Sequence, residues 1–189
     1  MTGSAATAIA SWGEALHAAR SRRRRLTRRG LAVCGLALLL GTTIALPPRP
    51  VLVWNASASA PVGLYGVGGE HLRPGDMVIA WPPDHIRRLA ARRRYLPANV
   101  PLVKRVAAAH GDTACAWGNR ILVNGRLAAT RLARDGAGRP MPRWSGCITL
   151  RHGAMLLLMA DSAASFDGRY FGPTDRDDVV GKATLLWAR

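Results

Sequence analysis

A cluster of arginines followed at once by an uncharged apolar run divides this chain before any other feature is weighed. Arg22, Arg23, Arg24, Arg25, Arg28 and Arg29 close the polar stretch 1–30, and the apolar run 31–46 is stopped by Pro47, Pro48 and Pro50. As a helix the run rises about 24 Å, short of the ~30 Å hydrocarbon thickness by an amount that local thinning and snorkelling arginines absorb. It therefore predicts one N-terminal transmembrane helix over 31–46. Because the arginines precede the run, the positive-inside rule assigns residues 1–30 to the cytoplasm. The Pro-rich stalk 47–56 and a domain over 57–189 then lie across the membrane. Other readings of the segment are weaker. A cleaved signal has a small-x-small site at Thr43-Ile44-Ala45, but prolines follow it closely. Arg28-Arg29 as a twin-arginine signal carries little information inside an arginine tract. Leu31-Ala32-Val33-Cys34 precedes the apolar run that a lipoprotein box should end.

The part beyond the stalk has the length of one domain, and a hydrophobic fraction of 49% supplies it with a core. The net charge of +16 suits anionic lipid or acidic partners. No helix-turn-helix, zinc or aromatic stacking pattern accompanies the arginines, so no nucleic-acid partner is expected. Cys34 falls in the apolar run, which leaves Cys115 and Cys147 in the exported part. An oxidising compartment there allows a disulfide between them; two buried thiols are the alternative.

Strand-like runs at 63–67, 76–81, 100–107, 120–130, 148–150, 154–160 and 179–187 predict a mainly β, antiparallel domain. Asn124-Gly125, between Ile121-Leu122-Val123 and Leu127, predicts a two-residue hairpin turn with positive φ at both positions. A short helix is predicted over 84–95, opened by Asp84 after two prolines and closed before Pro97. Residues 134–145, rich in Gly, Pro and Arg, read as a long loop that Cys147 pins.

All but two of the 27 basic residues are arginine, the exceptions being Lys104 and Lys182. Arginine stays protonated in proteins, whereas a buried lysine can lose its proton. In Leu102-Val103-Lys104-Arg105-Val106 a strand period of two puts Lys104 on the face of Leu102 and Val106. Burial there lowers the lysine pKa, and a fall from about 10.4 to about 8 costs roughly 3 kcal/mol. Alternatively, Lys104 snorkels to the surface from a strand edge. A neutral amine can take the proton of a serine hydroxyl, and such a dyad needs no histidine. Ser59, in Ser57-Ala58-Ser59-Ala60-Pro61, is the candidate nucleophile, although a serine in a linker is commonly just that. His17, His71, His85, His110 and His152 have no neighbouring metal ligands, so neither metal nor cofactor is expected. Farther on, Ser165 is a candidate to orient a lysine amine, and Asp167 and Arg169 to pair and hold their loop; a solvated turn is the alternative.

These blocks together resemble the signal peptidase I family, and most closely its conjugative-transfer branch. The resemblance lies in Ser59 with Pro61-Val62-Gly63-Leu64-Tyr65, in Leu102-Val103-Lys104-Arg105-Val106 leading to Gly111-Asp112, and in Ser165-Phe166-Asp167-Gly168-Arg169-Tyr170-Phe171-Gly172 followed by Val180-Gly181-Lys182-Ala183. Pro61 lies two residues after Ser59, as in the conjugative branch, where housekeeping enzymes have it three after. Asp161 stands in Ala160-Asp161-Ser162 where the family often has Gly-Asp-Asn. The resemblance implies Ser59 as nucleophile and Lys104 as base. It also implies Ser57 with the Ser59 amide as oxyanion hole, and Ser165, Asp167, Arg169 and Asp161 in support. A signal-peptidase-like fold, a single-pass place in a bacterial inner membrane and a periplasmic catalytic domain follow from it. The implied partners are a prepilin or preprotein substrate, membrane lipid and the conjugative transfer or secretion machinery. A general signal peptidase and a non-enzymatic component of a pilus assembly are the rival expectations.

Overall fold

The computed structural model describes residues 3–45 and 50–189; Leu46, Pro47, Pro48 and Arg49, part of the expected anchor and stalk, lie outside the described residues. Two compact units divide at Pro48, and each is described by itself.

The first unit is one helix, α1 (Gly3–Ala45). It begins far earlier than the apolar run because alanine and arginine are both strong helix formers and no proline interrupts them. The arginine cluster and the apolar run thus share one helix, and Leu31, Val33, Leu36, Leu38, Leu39 and Leu40 are all exposed on it. Among the described residues no helix is long and apolar enough to cross a membrane; the arginines at 28 and 29 and the end of α1 at Ala45 bound the apolar length.

The second unit is built of ten strands in two antiparallel sheets. The larger holds β1 (Leu52–Asn55), β2 (Gly63–Gly68), β3 (Met77–Ala80), β4 (Leu102–Ala108), β9 (Leu156–Leu158) and β10 (Val179–Ala188), ordered β1-β2-β10-β3-β4-β9. The smaller holds β5 (Thr113–Trp117), β6 (Arg120–Val123), β7 (Arg126–Thr130) and β8 (Gly146–Thr149), ordered β7-β6-β5-β8. Two short helices, α2 (Asp84–Arg92) and α3 (Gly168–Phe171), complete it. The mainly β antiparallel expectation therefore holds. Asn124 and Gly125 both take positive φ, 50° and 77°, in the turn between β6 and β7. The helix over 84–95 ends early, at Arg92. Strands β1 and β5 fell outside the strand-like runs, and β1 lies within the segment read as stalk.

Both faces of the larger sheet are covered. Val53, Tyr65, Ile79, Val103 and Ala183 pack in one cluster, and Val78, Ala80, Val106, Leu157 and Val179 in another. A third cluster joins Leu156 and Leu158 of β9 to Ala114, Ala116 and Ile121 of the smaller sheet. On β4, Leu102, Val103, Lys104 and Val106 are all buried and Arg105 alone of these five is exposed. Cys115 and Cys147 are register partners in β5 and β8 and are joined by a disulfide.

At Gly63 the chains approach too closely for any side chain: a Cβ there falls 2.1 Å from the Trp187 carbonyl oxygen. Gly63→Ala is expected to part β2 from the end of β10 and to destabilise the domain by roughly 1–3 kcal/mol, the usual cost of overpacking. The midpoint of urea unfolding reads this out, and an unchanged midpoint would refute it.

Candidate active site

The loop 56–62 connects β1 to β2, whose facing ends are Asn55 and Gly63. Ser59 sits at its tip, half-buried, with Ser57 exposed beside it. Lys104 reaches the loop from the middle of β4, 3% exposed. Its Nζ donates to Ser59 Oγ at 2.8 Å and to Ser165 Oγ at 2.9 Å, and Ser165 is itself buried. Ser57 Oγ is 3.0 Å from Ser59 Oγ and accepts from the Ser59 amide at 3.4 Å.

Desolvation pushes the Lys104 ammonium down from its ordinary 10.5 to about 8; the Asp167 carboxylate opposes that fall and the Arg169 guanidinium adds to it. An amine of that kind is substantially neutral near pH 8. Its lone pair can then accept the Ser59 proton across the same 2.8 Å.

Ser165 is carried by the segment between β9 and α3, and a buried ion pair sets that segment. Arg169 Nε donates to Asp167 Oδ1 at 2.8 Å with both side chains at or below 1% exposure. Arg169 also donates to the carbonyls of Met159, Thr130 and Ala163, while Asp167 accepts from the Met159 amide at the end of β9. Gly168 permits the approach to β9, since a Cβ there falls 2.9 Å from the Leu157 carbonyl oxygen. Asp167 caps α3 by accepting from the Arg169 amide.

Ser59 and Lys104 open into a groove of about 770 Å³ whose walls include Trp54, Tyr95, Leu132, Met141, Phe166 and Tyr170. Its far wall is braced where the Tyr95 hydroxyl donates to Asp135, which also pairs with Arg139 at 2.7 Å. The loop ahead of β8, read as pinned by Cys147, is further tied by Arg93 donating to the Pro140 carbonyl and by the Trp144 indole donating to the Gly168 carbonyl.

The structure thus brings Ser57, Ser59, Lys104 and Ser165 into one hydrogen-bonded chain and puts Asp167 and Arg169 directly behind it. Asp161 is not brought in: it is exposed, and among the described residues its side chain makes no hydrogen bond to the site. It follows the end of β9 on the solvent side, where Asp167 has already taken the Met159 amide. Cys115 and Cys147 lie in the smaller sheet. Among the described residues no cluster of His, Cys, Asp or Glu could hold a metal ion.

Sequence reasoning missed Asn55, which is buried and donates to three carbonyls of the loop 56–62. A polar residue sharing the inward side of β1 with Val53 was the available signal. It also missed Arg131, buried between the turn at Gly118 and the Arg169 carbonyl.

The family model described as signal peptidase, peptidase S26, matches residues 23–188. The chain belongs to this family. Among its relatives, a plasmid transfer protein TraF of Escherichia coli is 35% identical over 179 residues, covering 88% of this chain and 99% of the relative. A second Escherichia coli plasmid transfer protein TraF is 36% identical over 145 residues, covering 70% and 82%. The conjugal transfer protein TraF of Agrobacterium fabrum is 32% identical over 173 residues, covering 85% and 94%. The family match begins within the arginine cluster of α1 and ends one residue before the C-terminus, so it spans all the elements that build the site.

Proposed function

We propose that this S26 family member is a serine endopeptidase whose Ser59 is the nucleophile and Lys104 the general base. The observation that carries the reading is a buried lysine amine 2.8 Å from a serine hydroxyl at the mouth of a groove. Ser59 Oγ attacks the scissile carbonyl carbon as its proton passes to Lys104 Nζ. The resulting oxyanion takes hydrogen bonds from the Ser59 amide and the Ser57 hydroxyl, which gives up its present contact with that amide. The Lys104 ammonium returns its proton to the leaving nitrogen as the C–N bond breaks, and an ester between Ser59 and the substrate remains. Water releases a linear product; the substrate's own N-terminal amine, attacking the same ester, releases a cyclic one. Ser165 holds the lysine amine towards Ser59.

The names of the relatives point to conjugation, so the substrate in this reading is an exported prepilin with small residues before the cut. The exposed apolar residues of α1, next to seven arginines between Arg20 and Arg29, support attachment to the inner membrane with the β domain in the periplasm.

Ser59→Ala is expected to leave prepilin unprocessed in cells at a normal level of enzyme, as read by mass spectrometry of the pilin; processed pilin would end the proposal. With the wild-type enzyme, a product mass one water below the linear mature peptide identifies cyclisation. A general signal peptidase would instead restore growth to a strain depleted of its own, and this enzyme is expected not to.

A further inference from the structure

The nucleophile loop has little structure of its own. Between the ends of β1 and β2, its backbone makes one internal hydrogen bond, from the Ala60 amide to the Ser57 carbonyl, and that bond is long at 3.4 Å. Yet the loop must present Ser59 Oγ to Lys104 and the Ser59 amide to an oxyanion, and tenths of an ångström decide such geometry.

One side chain supplies what the backbone lacks. Asn55 is 6% exposed, at the last position of β1. Its Nδ2 donates to the carbonyls of Ser57 at 3.0 Å, Ala60 at 3.2 Å and Pro61 at 3.0 Å. Its Oδ1 accepts from the Ser57 amide at 3.1 Å. Two hydrogens serve three acceptors, so one is shared. Both peptide groups of Ser57 are therefore held on the near side of the nucleophile and two consecutive carbonyls on the far side, all by a single amide. Tyr65 adds a second hold on the far side, its hydroxyl donating to the Pro61 carbonyl at 2.8 Å.

We infer that Asn55 is the positioning residue of this active site, clamping both flanks of Ser59 so that its hydroxyl and amide stay aimed at the lysine and at the oxyanion. The inference rests on the peptidase reading above. Only a group with two donors and an acceptor on one planar head fits. Aspartate has the same shape, but its second oxygen would face three carbonyl oxygens at about 3 Å, turning three attractions into repulsions and letting the loop drift. Asn55 touches no reacting atom, so its loss should lower turnover more than substrate affinity.

The test uses the full chain in detergent and an internally quenched peptide with Ala-x-Ala before the cut, comparing wild type, Asn55→Asp, Asn55→Ala, Ser59→Ala and Lys104→Met. Rates are taken per folded protein, with folded fraction measured by near-UV circular dichroism. The expected result is a kcat at least tenfold lower in both Asn55 variants, approaching the ~10²–10³-fold typical of a lost oxyanion donor in the Asp variant. KM stays within about twofold. Wild-type kcat per folded molecule in either Asn55 variant would overturn the inference, as would a fall that merely tracks the folded fraction. Cleavage by Ser59→Ala or Lys104→Met at the wild-type rate would instead bring down the peptidase reading, and the positioning role with it.

Discussion

Lys104→Met is expected to abolish peptide cleavage, lowering kcat/KM by at least about 10³-fold, while the protein stays folded. Methionine matches the lysine stem in length and suits a site that is 3% exposed, but its thioether sulfur is far too weak a base to take the Ser59 proton. Lys104→Arg fails for a different reason, because a guanidinium keeps its proton. The proposed mechanism requires a neutral Lys104 amine, so cleavage should rise with pH through about 8 and level off above it. The same group leaves a signature in stability. Folding lowers the Lys104 pKa from 10.5 to about 8, so between those values the unfolded chain holds a proton that the folded protein has released. Wild type should therefore gain stability relative to Lys104→Met as pH rises from 8 to 10.5, by roughly 3 kcal/mol in all, since each pKa unit is worth about 1.4 kcal/mol. Below pH 8 the difference between the two proteins should be flat. Urea unfolding at several pH values measures it, and parallel stability curves across that range would mean that Lys104 is not a depressed-pKa amine.

Why Lys104 was legible and Asn55 was not is a matter of what each signal needs. Lys104 announced itself by composition, being one of two lysines in an arginine-rich chain, and by its place among apolar residues at the strand period. Both facts are local. Asn55 acts on carbonyls two to six residues ahead through a loop of no regular form, and Trp-Asn-Ala-Ser after three prolines looked like a linker. Strand β1 was hidden for the same reason: it is four residues long and is a strand only because β2 offers it a partner. Strand β5 alternates poorly because Ala114, Cys115 and Ala116 are all buried, covered on both faces. Helix α1 shows the opposite limit. Its propensity is continuous from Gly3, so the change from polar to apolar at Leu31 is a change of side-chain character and no boundary of structure. Asp161 was carried into the site by position in a motif, and the side chain that does reach the end of β9 is Asp167, six residues later, through a turn that sequence alone does not draw.

The Asp167 and Arg169 pair carries the second large effect, and its two halves should act on Lys104 in opposite senses. Both side chains are essentially without solvent, and Arg169 satisfies three carbonyls from two different parts of the domain besides its carboxylate partner. Removing one member leaves a buried charge facing nothing, which costs about 3–5 kcal/mol in comparable sites. Arg169→Met should lose that much and also free the loop bearing Ser165; Asp167→Asn, which keeps a hydrogen-bonding group against the Met159 amide region, should lose less. In the double variant the combined loss should fall well short of additive, because neither charge is then stranded. The electrostatic consequence separates this from simple unfolding. The Asp167 carboxylate favours the Lys104 ammonium and the Arg169 guanidinium disfavours it. Asp167→Asn should therefore move the rising limb of the pH–rate profile to lower pH, and Arg169→Met should move it to higher pH. Shifts in the same direction, or none in either variant, would show that the pair supports the loop without tuning the base.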